Sequence, residues 1–575
     1  MASSADTIAN RSFARIGVLV VLAGIPMLYL VLLYFLPISD LLALGISTST
    51  YIDVVSNSFY WRILGNTFLF AGEVTLLSLI IGYPVACLAC TAGARLSKII
   101  LLCATIPLWT SLLARTYAWL AILDRRGLVN VVLQRLHIIE KPLSLSHNTF
   151  AALVGSVYIM LPLMVLTLYA PMREIDLSAV RAARTLGARP LQAFVRIFFP
   201  LSVPGIVFAC LLVFIVSLGF FVTPALLGGP ADRTFSMLIS QQVDNLGNFA
   251  AAAALSMVLL IATIVFLLVF VLTVGFEQFV GGRLGVNVPL SRGYGPAVSR
   301  FVGWVAPIFS WAESKIIWYG FVFFVLILLA LPYLTLIPMS LSNSEYLQFP
   351  PESISLRWYD ALFRSQAWLS AGINSVLVGT GAGLLATVMG LVAALGLREV
   401  PRATGQWLVV LLIVPAVLPT MIYSVAAYFS EVRVGLVDTP VGLALAHSTL
   451  GFPFVVIMCA TALSGIRPSI EQAAQSLGAR RVKRLFRITI PLIFPSILIG
   501  ALVAFQTSFD EIVVALFLSG VQTRTLPKAM WQASTLEVTP MIPAVAVIVL
   551  VLILVLALVI FGIARVIRPG THKST

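Results

Sequence analysis

Apolar runs of 22 to 28 residues recur along this chain, separated by short stretches in which Lys, Arg, Gly and Pro collect. About 20 consecutive apolar residues cross a bilayer as a helix. The pattern therefore predicts twelve spans, near 16–38, 66–91, 99–123, 150–171, 201–228, 251–275, 316–338, 371–397, 407–429, 440–464, 492–518 and 541–564. The first run follows Arg11 and Arg15 and reaches Pro37 without a persuasive cleavage site, so it reads as a retained span rather than a signal peptide. The predicted class is an all-α polytopic membrane protein.

The polar stretches set the orientation. With the N-terminus in the cytoplasm, 24 Lys and Arg fall on the cytoplasmic side and 11 outside, with Arg115 inside a span. That bias predicts both termini inside. It also accounts for the net charge of +14 without a nucleic-acid partner. A hydrophobic share of 60%, 10% charged residues and a mean hydropathy of +1.05 agree with the membrane class. The five cysteines lie in or beside apolar stretches. Cys87 and Cys90, a C-x-x-C on an apolar segment, read as helix-packing residues rather than a redox or metal pair. The four histidines have no ligand spacing and predict no metal site.

One polar passage occurs twice. Residues 178–206, SAVRAARTLGARPLQAFVRIFFPLSVPGI, and 469–497, SIEQAAQSLGARRVKRLFRITIPLIFPSI, share 13 of 29 positions without a gap at an offset of 291. Upstream the halves match at an offset of 308: Asn66-Thr67 with Asn374-Ser375, Pro107 with Pro415, and GLVN at 127–130 with GLVD at 435–438. The difference, 308 − 291 = 17, places an insertion after Asn130. Six spans per half, an even number, make this a parallel duplication with a pseudo-twofold axis along the membrane normal. Three segments follow: a first half at 1–276, a Gly/Pro-rich cytoplasmic linker at 277–314, and a second half at 315–575.

Each repeated passage reads as two short helices meeting at a glycine. Ser178 and Ser469 are candidate N-caps, with Ser469 and Gln472 at capping-box spacing, and Gly187 and Gly478 are candidate terminators. Basic residues beyond the glycine would also suit an interfacial helix at lipid headgroups, but that leaves the shared Ala-Ala-x-x-x-Gly core unexplained. Ala182-Ala183, Gly187 and Pro200, with Ala473-Ala474, Gly478 and Pro491, resemble the EAA loop of permease subunits of ABC importers. The family's leading Glu is replaced by Arg181 in the first copy and Gln472 in the second. IPLWTSLLARTYAWL at 106–120 is similar to the B permease of spermidine/putrescine importers, and SFDEIVVALFLSG at 508–520 to the C permease.

The resemblance implies that Arg181, Ala182, Ala183, Gly187, Gln472, Ala473, Ala474 and Gly478 form two coupling loops, each docking on a subunit of a homodimeric ATPase. It also implies a periplasmic or extracellular solute-binding protein, a bacterial inner-membrane location in contact with lipid, and no catalysis by this chain itself. No G-x-x-x-x-G-K-[ST] occurs in the sequence, so ATP and Mg²⁺ are assigned to the partner and no cofactor to this chain.

Four ionisable residues fall inside predicted spans: Glu73, Arg115, Asp510 and Glu511. Such residues are costly in a bilayer and default to functional candidates. Glu73 and Arg115 suit an ion pair between neighbouring helices or a role in the solute path. Asp510 and Glu511 lack an evident basic partner and, 100° apart on a helix, place one side chain on the path. Three acids against one base favour a cationic, polyamine-like passenger. Aminophosphonates, opines, amino-acid derivatives and ferric iron are the alternatives. Trp109, Tyr117, Trp119, Trp358, Tyr359 and Trp531 read as interfacial belt aromatics, with Trp109 and Tyr117 also candidates for the path. An ion-coupled secondary transporter with two six-helix repeats is the competing reading. A membrane enzyme or scaffold lacks a recognisable catalytic constellation.

Overall fold

The computed structural model describes residues 22–47, 49–244, 247–274, 314–346, 349–536 and 539–567. Regular structure among them is helical, apart from one isolated bridge between Ser342 and Ile354. Among the described residues ten helices are long and apolar enough to cross a membrane. Two further spans are broken: Ala94–Trp109 with Leu112–Arg135 at a bend of 101°, and Thr404–Val417 with Thr420–Val434 at 91°. The linker at 277–314 lies outside the described residues except for Ser314, as do residues 16–21 of the first predicted span.

The breaks correct the straight spans expected at 99–123 and 407–429. Pro107 sits in a 3₁₀ turn, Ile106–Trp109, after which Thr110 is extended. In the second half Leu418 is extended because Pro419 follows it, and a residue before proline is pushed out of the helical region. The spans expected at 201–228 and 492–518 are corrected in the same way. Their helices begin earlier, inside the polar passage, and run Pro190–Leu218 and Arg481–Phe509, 29 residues each. That is about 43 Å at 1.5 Å per residue, already enough to cross the hydrocarbon core. Each helix then ends, and a separate six-residue helix follows: Val222–Leu227 or Val513–Leu518.

In the second half the 34-residue helix Gln366–Glu399 packs along Pro440–Ser464 and Ile490–Phe509. In the first, Ser58–Thr91 packs along Thr149–Arg173 and Phe199–Leu218. Small residues allow the close approach: a Cβ on Gly390 would lie 2.7 Å from Val455, and one on Gly451 3.0 Å from Ala504. The halves interlock through their first helices. Leu22–Leu44 lies on the second half's core, where Tyr29 shares a 2.7 Å hydrogen bond with Ser448 and Tyr423 donates to the Leu33 carbonyl at 3.1 Å. Lys315–Ser340 lies on the first half's core, where Trp318 donates to the Pro84 carbonyl and Tyr158 to the Leu329 carbonyl.

The 17 extra residues are accommodated after Gly127. The second half passes from Gly435 through Asp438 to the N-cap Thr439, whereas the first inserts the helix Leu128–Arg135 and a loop before the N-cap Asn148. Buried Asn130 staples the insertion, bonding the Asp124 carbonyl and both backbone groups of Leu143.

Candidate functional site

The two repeated passages fold alike. Helices Leu177–Thr185 and Pro468–Ser476 end at Leu186 and Leu477, and Gly187 (φ +92°) and Gly478 (φ +81°) follow in the left-handed region. Ala188 donates to the Ala183 carbonyl and Gly187 to that of Arg184. Ala479 and Gly478 repeat this with Ala474 and Gln475, all at 3.0 to 3.1 Å. This is the paired closure of a Schellman motif, which glycine adopts without a Cβ penalty. The expected N-caps are corrected. Asp176 caps the first helix, accepting from Ser178 N–H at 2.8 Å. Pro468 opens the second with Arg467 at the cap position, and no Ser469–Gln472 box forms. Proline's fixed φ suits a first helical position, and Asp176 precedes the serine that sequence spacing favoured.

Arg181, Ala182, Gln472 and Ala473 are exposed, while Ala183 and Ala474 turn inward. Leu186 and Leu477, absent from the predicted site, are 88% and 89% exposed at the tips of the two loops. An apolar residue before each glycine, repeated in register within polar sequence, was the available signal. Each loop then enters its span through a π-helical turn, Phe194–Phe198 or Leu485–Thr489. The second loop is tied to its own half by Glu471, which pairs with Arg398 at 2.9 Å and accepts from Thr489. Burial pushes the Glu471 carboxyl up, but Arg398 and the charge of Arg484 outweigh it and hold the group below the ordinary range.

At the opposite ends of these spans the halves meet. Asp510, the cap of Ile490–Phe509, accepts from Leu112 N–H through both carboxylate oxygens at 2.9 and 3.0 Å. Leu112 opens a helix of the other half, and Arg115, 5% exposed on its first turns, is near enough for its charge to act on Asp510. Among the described residues Arg115 forms an ion pair neither with Asp510 nor, as expected, with Glu73, and its Nε donates to the Ser111 carbonyl. Glu73 is half-buried on Ser58–Thr91 and belongs to no ion pair among the described residues. At the pseudo-equivalent contact Gly219 meets Pro419, where an added Cβ would lie 3.2 Å from the proline ring. Pro419 is the counterpart of Ser111, and Tyr423 that of Arg115, so the cation beside Asp510 has no equivalent at the second contact.

Glu511 lies outside any helix. Its Oε1 accepts from Val513 and Val514 N–H at 2.8 and 3.2 Å, capping the short helix that follows. The two acids thus do not diverge on one helix. Each is held by backbone donors, Asp510 across the halves and Glu511 within its own.

Beyond the short helices, Phe235–Asp244 and Leu526–Leu536 face each other across the pseudo-axis. Thr67 accepts from Phe235 N–H at 2.9 Å and Ser375 from Leu526 N–H at 2.7 Å, so matched hydroxyls fix both helix starts. Between these helices lies a cavity of about 610 Å³ lined by Phe221, Arg233, Gln241, Lys528, Trp531 and Gln532 among others. Gln241 and Gln532 are counterparts at offset 291. Trp531 tilts against Phe221 of the other half at 4.9 Å between ring centroids, so it is a cavity residue rather than a belt aromatic. Tyr117 and Trp119 are buried, and neither they nor Trp109, Glu73, Arg115, Asp510 or Glu511 line the cavity.

A family model described as "binding-protein-dependent transport system inner membrane component" matches residues 78–276 and again 386–573. The spermidine/putrescine transport system permease protein PotB of Escherichia coli (strain K12) is 32% identical over 256 residues, 42% of this chain and 92% of that protein. PotC, the corresponding protein of Haemophilus influenzae, is 30% identical over 229 residues, 40% of this chain and 89% of its own. Among solved structures, a bacterial ABC transporter involved in the import of the acidic polysaccharide alginate aligns over 47% of this chain and 98% of its own. Its TM-score is 0.32 and its identity 15%.

Proposed function

Because this chain belongs to the family of binding-protein-dependent transport system inner membrane components, matched once in each half, we propose that it supplies both membrane halves of the permease of an ATP-driven importer. In this reading both termini and both repeated loops are cytoplasmic, and a homodimeric ATPase holds one loop in each subunit. A solute-binding protein delivers a small solute at the opposite face. Closure of the ATPase moves the loops together. Each loop continues into a 29-residue helix that contains its π turn and whose far end carries the cavity helices, so the same motion opens the cavity outward. Interlocked first helices keep the halves associated as they tilt.

The reading rests above all on one observation: two loops with the same helix–glycine closure, in register in both halves, each presenting an exposed leucine. The relatives' names make spermidine and putrescine the first solutes to test. The excess of acids within the spans no longer adds support for a cation, since Asp510 and Glu511 are engaged by backbone donors. The test is uptake into proteoliposomes containing this chain, the ATPase and the binding protein. Transport that needs ATP and the ATPase supports the proposal. Transport by the chain alone under an ion gradient would show a secondary transporter instead.

A further inference from the structure

A groove of about 660 Å³ runs along the second half, apart from the central cavity. One wall is the start of Gln366–Glu399, from Leu369 to Thr380, and the other the start of Met541–Ile567, at Val545 and Ile548. Both helices belong to the membrane spans. Ile373 and Leu377, on the first wall, are 66% and 55% exposed. The roof is the helix Arg357–Arg364, which carries Trp358, Tyr359, Leu362 and Phe363 on one side and Arg357, Asp360 and Arg364 on the other. That division is the pattern of a helix lying in a membrane interface. Leu362 and Phe363 close the end of the groove. Bonds outside the groove hold the roof: Tyr359 shares a 2.8 Å hydrogen bond with Ser340, and Trp358 donates to the Ser344 carbonyl at 3.2 Å.

The first half carries larger side chains at the equivalent positions. Gly372 answers Leu64, which is buried, and Val376 answers Phe68, set edge-on to Phe214 and Phe266 at 5.9 and 6.1 Å between ring centroids. A Cβ on Gly372 would meet nothing within 4 Å, so the groove is open where the first half places a leucine.

We infer that this groove holds one acyl chain of a membrane phospholipid, with the headgroup beside the roof helix. The wall from Leu369 to Thr380 is about 16 Å long at 1.5 Å per residue, roughly half of a hydrocarbon core of about 30 Å. That is the depth of one leaflet, and hence of one chain; a partner's spanning helix needs a groove of full depth. Arg364 and Asp360, both exposed and paired at 2.9 Å, present opposite charges to the phosphate and amine of a zwitterionic headgroup. The roof joins Lys315–Ser340, which packs on the first half, to the core helix of the second, so the lipid sits at a joint between the halves. The inference depends on the membrane location of the chain and not on the importer reading.

The test is native mass spectrometry of the full chain, loaded with palmitoyl-oleoyl phosphatidylethanolamine and transferred into detergent. One lipid should remain at detergent exposures that strip the rest. Gly372→Leu, whose side chain enters the groove, should lower that occupancy at least tenfold. Gly320→Leu, on an exposed face of Lys315–Ser340 with nothing within 4 Å of an added Cβ, should retain lipid like wild type. A wild-type chain that keeps no lipid, or equal retention by Gly372→Leu, overturns the inference. So does a dimer that Gly372→Leu dissolves, which would seat a second copy in the groove. A second measurement uses the unaltered chain in nanodiscs. The same lipid bearing a diazirine on its acyl chain should label residues 369–380 at least fivefold more than residues 61–72, their counterparts in the first half. Equal labelling is what a lipid merely surrounding the protein would give, and it contradicts the assignment.

Discussion

Leu186 and Leu477 provide the sharpest handle on how this permease meets its motor. With 88% and 89% of their surface exposed, they contribute almost nothing to the fold of the chain itself. If each is buried in a groove of the ATPase, Leu→Ala removes three carbons from the interface. At about 0.8 kcal/mol per buried methylene, the loss is about 2 kcal/mol per loop after incomplete burial is allowed for. That is roughly 30-fold in affinity for one substitution and roughly 1000-fold for Leu186→Ala with Leu477→Ala, since about 1.4 kcal/mol is tenfold. The assay is equilibrium binding of the purified ATPase to the full chain in nanodiscs, with thermal stability of the permease followed in parallel. Affinity should fall while the melting temperature stays within a degree or so. Val521, 92% exposed near the cavity end, serves as the control, and Val521→Ala should leave binding unaffected. A double leucine variant that binds like wild type refutes docking through the loop tips.

Other consequences follow from the contacts between and within the halves. Asp510→Ala leaves Leu112 N–H without its acceptor and Arg115 without an opposing charge, and should lower stability by about 1–3 kcal/mol in denaturant titrations. Asp510→Asn keeps an acceptor and should cost less; equal losses would mean that the hydrogen bond is not what matters. Thr67→Val and Ser375→Ala each remove the hydroxyl that receives a cavity-helix N–H, and should cost about 1 kcal/mol apiece with similar effects on transport. A large difference between them would show that the pseudo-symmetry of the cavity walls is not functional. The Glu471–Arg398 tether depends on pH. Because the Glu471 carboxyl is held below its ordinary range, its contribution is complete above the unfolded carboxyl's pKa and disappears as pH falls through the folded value. For a partly exposed pair this amounts to about 0.5–1 kcal/mol. The stability gap between wild type and Glu471→Gln should therefore be present at pH 7 and close on acidification below about pH 4; a gap that widens there would contradict the assignment.

The duplication was legible because it is written in matched polar residues, and the structure repeats its offsets element by element. Gly187 and Gly478 could be identified as terminators because no other residue type takes their φ so readily. The breaks were not legible. Pro107 and Pro419 sit inside continuous apolar runs, and proline within a membrane helix is common enough that it does not announce a bend of 90° or more. The same continuity hid the ends of the helices at Leu218 and Phe509, and so made Asp510 and Glu511 look like neighbours on one helix. Thr67 and Ser375 were recognisable as a match, but their role needs the cavity helices that pack on them from about 150 residues away. Counting charges only within spans missed Arg233 and Lys528, which lie in the segments between spans yet line the cavity.

The most direct test of the central claim is the side of the membrane on which the two loop tips lie and what covers them there. Thr185→Cys and Ser476→Cys place exposed thiols at matched positions beside Leu186 and Leu477. A membrane-impermeant thiol reagent should leave both unlabelled in intact cells, label both in inverted vesicles stripped of the ATPase, and lose both signals when the ATPase is added back. Labelling of either position from outside intact cells, or labelling in inverted vesicles that the ATPase does not block, would contradict the account.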